Sequence, residues 1–229
     1  MTDAAAVNQT LEGASLPVIL RWAVENLGRL TFASALGAEC VVVIDVIARE
    51  RLPIDIFTLD TGLLFPQTYE LRRQLEARYG IAIRNVTPAQ TVAEQALTHG
   101  AALWERDPNR CCELRKLAPL RAALAGFDGW VTAIRREQTP ERANAQPFEH
   151  DQKFGLAKVN PLVTWTHDDV WAHIYANDVP FNPMHHDNYP SIGCQPCTSM
   201  VMPGEDPRSG RWRGAGKREC GLHLKAEAE

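Results

Sequence analysis

The chain has 229 residues, 45% of them apolar and 23% charged, close to soluble globular averages; this excludes a largely disordered or fibrous protein and suits one α/β core rather than two. Its formal net charge of -4 argues against a nucleic-acid partner but leaves room for a local basic site for a small anion. The sequence has no apolar run of about 18 residues and its first residues lack the basic start and apolar core of a signal peptide, so no membrane span is expected and the cytoplasm is the expected compartment.

Residues 16–27 carry Val18, Ile19, Trp22, Ala23 and Leu27 at helical spacing and predict a helix feeding a short strand over 30–33. The small-residue turn Ser34-Ala35-Leu36-Gly37-Ala38-Glu39 and an apolar helix over 40–49 follow. A strand, a turn and a helix N-terminus make an anion site, because free N–H groups and the helix dipole converge there. A second strand over 54–59 ends at Asp60-Thr61-Gly62; Pro66 opens an amphipathic helix over 67–79, and a third strand covers 81–86. Residues 90–99 read as a helix, 106–110 as a turn around Asp107-Pro108-Asn109, and 113–124 as a helix kinked by Pro119. A fourth strand over 130–134, a polar loop over 135–146, a short irregular hairpin over 148–159 and a last helix over 167–176 complete the regular part.

This alternation predicts an α/β fold with a mostly parallel, doubly wound sheet whose ligands bind beyond the strand C-termini. The expected division is a binding domain over 1–216 and a mobile C-terminal tail over 217–229, exposed and rich in charge.

Six cysteines in a cytoplasmic chain point to metal binding or thiol chemistry rather than to disulfides. Cys111-Cys112 and Cys194-Gln195-Pro196-Cys197 supply four soft ligands, suited to a tetrahedral zinc or a 4Fe-4S cluster. Zinc sites usually gather two CxxC knuckles, which adjacent cysteines do not form, so the spacing favours the larger cluster; zinc and unligated thiols remain the alternatives. Cys40, inside Glu-Cys-Val-Val-Val-Ile, reads as a small buried hydrophobe. Cys220 is flanked by Lys217, Arg218 and His223, and cations nearby favour the nucleophilic thiolate, although an incidental surface cysteine has the same neighbours.

Seven segments occur in an order that resembles the bacterial adenylylsulfate (APS) reductases. They are Ser34 to Glu39, Leu59-Asp60-Thr61-Gly62, Cys111-Cys112-Glu113-Leu114-Arg115-Lys116, Arg135-Arg136-Glu137-Gln138-Thr139-Pro140, Lys158-Val159-Asn160-Pro161-Leu162, Cys194 to Cys197, and Glu219-Cys220-Gly221-Leu222-His223. Those reductases and the phosphoadenylylsulfate (PAPS) reductases share an adenine nucleotide α-hydrolase-like fold. The resemblance implies thioredoxin-dependent reduction of adenylylsulfate to sulfite and AMP in sulfate assimilation and cysteine biosynthesis, with Cys220 as the nucleophile that carries an S-sulfocysteine. It implies a 4Fe-4S cluster on Cys111, Cys112, Cys194 and Cys197. For the substrate it implies Ser34 and Gly37 in a modified pyrophosphatase loop, Leu59 and Thr61 beside the adenosine, Lys116 between cluster and sulfate, and Arg135, Arg142, Arg208, Arg211 and His223 around the phosphosulfate. Ala35 stands where many relatives have a hydroxyl or a glycine. Each of these cations also has an ordinary reading as a solvated side chain.

The partners implied are adenylylsulfate and thioredoxin or a similar dithiol; a homo-oligomer is compatible with them, and neither nucleic acid nor membrane is expected. Three alternatives stay open: a PAPS reductase, an adenylating ATP pyrophosphatase of the same fold, and a non-catalytic iron-sulfur or zinc module.

Overall fold

The computed structural model describes residues 3–217 and 219–222. Six strands form one sheet in the order β3-β2-β1-β4-β6-β5: β1 (Leu30–Ser34), β2 (Ile54–Leu59), β3 (Arg84–Val86), β4 (Gly129–Val131), β5 (Phe148–Asp151) and β6 (Leu156–Val159). All neighbours are parallel except the β5–β6 pair, a regular hairpin that adds β6 to β4 and leaves β5 at the edge. The doubly wound, mostly parallel sheet is the expected one. Because consecutive strand side chains point to opposite faces, Ile54 and Ile56 join one apolar cluster while Phe57 joins another.

The larger cluster lies under α1 (Ala4–Leu11), α2 (Leu16–Asn26), α3 (Ala38–Arg49), α4 (Pro66–Tyr79) and α9 (His167–Ala176). The smaller one, Phe57, Leu120, Leu124 and Trp130, lies under α8 (Ala118–Leu124). Between α4 and α8 come α5 (Val92–His99), α6 (Leu103–Arg106) and α7 (Pro108–Cys112). No helix among the described residues is long and apolar enough to cross a membrane.

Where the structure departs from the sequence expectation, local chemistry explains it. The stretch expected to be a turn before the cysteine pair is α7, because Asp107 caps it by accepting from Arg110 N at 2.9 Å and Pro108 occupies its first position. From there to Leu124 the chain stays helical but changes register. Pro119 has no N–H for the carbonyl of Arg115, and just before it Glu113–Leu117 forms a π turn in which Ala118 N donates to Glu113 O. The third strand shrinks to its last three residues. The N-terminal helix α1, invisible as a pattern, is held by Asn8, whose side-chain amide donates to Phe148 O at 2.9 Å and accepts from Phe148 N at 2.8 Å, as a neighbouring strand would.

One buried charge joins three helices of the larger layer. Asp45 on α3 is 1% exposed and accepts from Tyr79 Oη at 2.8 Å and His173 Nε2 at 2.8 Å, with Arg49 at 3.5 Å. Burial pushes its carboxyl up, but the His173 and Tyr79 hydrogen bonds and the nearby cations outweigh this and hold it below the usual value. The contribution is therefore complete above about pH 4 and is lost as pH falls through the folded pKa. Asp45→Asn is expected to cost about 2 kcal/mol at pH 7, with the gap to the wild type narrowing at pH 3; urea unfolding of both proteins at the two pH values measures it.

Candidate active site

At the carboxyl edge of the sheet three loops meet. The loop after β1 turns sharply: Leu36 is left-handed at φ 56°, Leu36 N donates to Ser34 Oγ at 3.1 Å, and Gly37 caps α3 without a side-chain hydrogen bond. First-turn N–H groups of α3 therefore lack a capping side chain, at the edge where β1 and β4 adjoin, the topological switch point of the sheet. Ser34 is buried, with its hydroxyl directed at the loop's own backbone. Cys40, one turn into α3, belongs to the apolar core, as its sequence context predicts.

The loop after β2 is held from two sides. Its aspartate, Asp60, accepts from Tyr69 Oη at 2.7 Å, Gly62 N at 2.9 Å and Asn85 Nδ2 at 3.1 Å. Thr61 faces inward: it is 1% exposed and its Oγ1 lies 3.2 Å from Cys194 Sγ. Leu59 packs at the margin of the smaller apolar cluster. Gln195 N donates to Leu63 O at 2.7 Å, and Leu64 bridges Cys194, so this loop carries the second cysteine pair to the first.

Cys111, Cys112, Cys194 and Cys197 line one pocket together with Leu63, Arg115, Lys116 and Trp212. Among the described residues no three His, Cys, Asp or Glu side chains are placed to hold a single metal ion. Burial pushes the Cys111 and Cys112 thiols up, and burial together with the neighbouring Cys194 pushes Cys197 up to about 11. Burial thus favours the protonated form of Cys111, Cys112 and Cys197, and a soft cation that binds them displaces those protons.

Arg115 is the residue that sequence reasoning missed. It is 3% exposed, donates to Thr61 O at 2.5 Å, Gln90 O at 3.2 Å and Gln95 Oε1 at 3.0 Å, and so pins the β2 loop to α5 and the π turn. It sits inside the Cys-Cys motif, but nothing in a sequence separates a buried arginine there from a solvated one. Burial lowers the pKa of Lys116, yet the charges of Cys194, Cys220 and Cys112 outweigh burial and the opposing Arg211, and the net direction is up.

The expected guanidinium group divides. Arg135 is paired within the domain: it is buried against Glu39, at 3.1 Å, and Glu137, and it also donates to Trp165 O at 3.4 Å. Two nearby carboxylates hold it where a phosphosulfate contact was expected. Lys158 is likewise paired, at 3.3 Å, with Glu149 across the β5–β6 hairpin. By contrast Arg142 and Arg208 converge, and Arg211 shares Ser191 with Arg208 while stacking on Trp212 at 4.5 Å. The Nε atoms of Arg142 and Arg211 are buried without a hydrogen-bond partner. Orphaned buried donors of this kind are costly unless a ligand satisfies them.

The tail completes the edge. Lys217 Nζ donates to Asn109 Oδ1 at 2.7 Å and Pro108 O at 3.2 Å, and lies 5.3 Å from the centre of the Trp212 ring. Glu219, expected on an exposed segment, is buried; Leu222 packs on the smaller cluster, and Cys220, half-buried, lies within Coulombic reach of Lys116, Cys112 and Arg208. His223 lies outside the described residues.

Residues 29–200 match the model of the phosphoadenosine phosphosulfate reductase domain. The chain belongs to that family. An adenosine 5′-phosphosulfate reductase of Halalkalibacterium halodurans is 43% identical over 95% of this chain and 95% of its own. One of Bacillus subtilis is 47% identical over 90% and 89%. The crystal structure of a phosphoadenylyl-sulfate reductase from Candida auris, in complex with phosphate, superposes with a TM-score of 0.78 at 31% identity, covering 88% of this chain and 98% of that one. These relatives are oxidoreductases, and the shared architecture is the adenine nucleotide α-hydrolase-like sheet described above.

Arg115→Met removes the donors that three buried acceptors rely on and is expected to destabilise the protein by about 3 kcal/mol. Urea denaturation checks it; a loss below about 1 kcal/mol would show that the β2 loop stands without Arg115.

Proposed function

We propose that this protein reduces adenylylsulfate to sulfite and AMP, with Cys220 as the nucleophile and thioredoxin or a similar dithiol as the reductant. The observation that supports the reading is the docking of the Cys220 segment through Glu219 on Arg142 and Arg208, at the edge that also carries the four-cysteine pocket with Lys116. The names of the curated relatives favour a substrate without a 3′-phosphate.

In this reading Lys116, Arg142, Arg208 and Arg211 hold the phosphosulfate, and His223 joins them from the tail. The N-terminus of α3 with Gly37 and Ser34, and the edge formed by Leu59 and Thr61, border the nucleotide. The Cys220 thiolate attacks the sulfate sulfur in line with the S–O bond; that bond breaks and its electron pair leaves with the phosphate of AMP, which the arginines stabilise. A thiolate of the dithiol then attacks Cys220 Sγ, sulfite departs, and the second thiol resolves the mixed disulfide. The dithiol is oxidised by two electrons and the sulfur is reduced by two, so the dithiol alone balances the reaction and Cys220 is regenerated unchanged. The tail leaves the domain for the second step, because docked Cys220 is half-buried and a protein dithiol has to reach its sulfur.

The pocket fits a 4Fe-4S cluster. Its donors are four sulfurs, the soft ligand set that such a cluster takes, with Arg115 and Lys116 in the same lining and Lys217 near Cys112 as compensating positive charge. When bound, such a cluster supplies an anionic scaffold that tunes Lys116 and the sulfate next to it. A cytoplasmic location, where thiols stay reduced, belongs to the same reading.

Cys220→Ser is expected to abolish sulfite release while leaving iron content unchanged, and mass analysis of the wild type with adenylylsulfate but no dithiol should find the sulfite adduct on Cys220. Normal turnover by the variant would reject the nucleophile. Cys194→Ala is expected to lose iron and activity together, a full iron complement rejecting the ligand set. Turnover on adenylylsulfate should exceed that on its 3′-phosphorylated form, and the reverse preference would overturn the substrate.

A further inference from the structure

Glu219 is a charged residue buried in a segment whose composition predicts exposure. It is 9% exposed, and its Oε2 lies 2.9 Å from Arg142 Nη2 and 3.3 Å from Arg208 Nη2, while Thr139 Oγ1 donates to Oε1 at 3.4 Å. The neighbouring contacts are fewer and weaker in charge: Lys153 Nζ donates to Gly221 O at 2.6 Å, and Leu222 lies partly buried against the smaller apolar cluster. The ion triad ties the tail to two separate parts of the domain, the loop after β4 through Arg142 and the segment after the second cysteine pair through Arg208. Cys220 follows Glu219 directly, so the rotation left to the nucleophile is small once the carboxylate is fixed.

Resting on Cys220 as the nucleophile, we infer that Glu219 is the positioning residue of the tail: its carboxylate, clamped between Arg142 and Arg208, holds Cys220 against Lys116 for attack. The clamp need not compete with substrate. A guanidinium carries five N–H donors, and among the described residues the Nε donors of Arg142 and Arg211 have no hydrogen-bond partner with Glu219 in place. Arg142 can therefore grip the tail through Nη2 and offer its Nε to an anion. Opening the triad is then the step that hands Cys220 to the reductant.

The test compares the wild-type holoenzyme with Glu219→Gln, Glu219→Asp and Cys220→Ser. Three quantities are read: the rate of iodoacetamide labelling of Cys220 without substrate, located by peptide mass; the single-turnover rate of sulfite-adduct formation on Cys220; and the equilibrium affinity for adenylylsulfate. Breaking one partner of a buried ion pair is costly, so Glu219→Gln is expected to label about tenfold faster and to form the adduct about tenfold more slowly, with affinity within about threefold of wild type. Glu219→Asp, which keeps the charge, should recover part of both rates.

Labelling and adduct formation within about threefold of wild type in Glu219→Gln would overturn the clamp. A large rise in affinity would overturn it in favour of a carboxylate that competes with substrate, and a large fall would overturn it in favour of a role at the substrate itself. If Cys220→Ser still turns over, the nucleophile reading fails; if it is inactive while Glu219→Gln behaves as wild type, only the clamp fails.

Discussion

Carboxylates taken out of water have to be balanced by cations held in fixed positions, and much of the architecture at the carboxyl edge of this sheet answers that constraint. Lys116, Arg115 and Lys217 surround the cysteine pocket, while Arg142, Arg208 and Arg211 gather a few residues away. None of these cations is placed by its own helix alone. The π turn aims Arg115 at the β2 loop, the pairing of the Cys194 loop with Leu63 and Leu64 brings the second half of the chain over the first, and the Thr198–Arg211 bridge fixes the guanidinium that follows. A parallel sheet suits this purpose because all its loops of interest emerge on one side.

The fold was legible where hydrophobic period and turn chemistry agreed. Helix α9 and strand β2 have the bounds that the sequence predicts, one marked by the Thr166 capping box and the other by a β-branched and aromatic run that ends at Asp60. The reading failed where two principles competed at one residue. Asp107-Pro108 serves equally for a turn and for a helix start, and the long helix beyond it decides for the second. The hairpin before residue 160 looked irregular because charged residues interrupt it, yet Glu149 and Lys158 are cross-strand partners whose charges support the register.

At the site, residue type was legible and pairing was not. The four cysteines and Lys116 line one pocket, and Arg142 and Arg208 share Glu219, but Arg135 carries the same motif credentials and ends against Glu39 and Glu137. Glu39, which closes the turn after β1, captures a guanidinium as readily as a ligand would, and only the packed chain decides which. Glu219 is the converse case: a charged residue in a charged tail, it becomes informative only once its two arginine partners are seen. Leu36 adds a backbone constraint that no side-chain pattern announces, since a left-handed leucine costs about 1 kcal/mol that the surrounding turn has to offset.

The least conspicuous contact in the molecule has a different kind of importance. Asn8 occupies the open side of β5 with a side-chain amide that imitates a further strand, and α1 packs over that edge. A bare strand edge is a template on which a second chain can grow. Trimming the first dozen or so residues would unmask that template, and it would also take Leu11 out of the core and Glu12 away from Arg136. The N-terminal helix thus covers an edge, fills the core and braces the loop after β4 with one short segment.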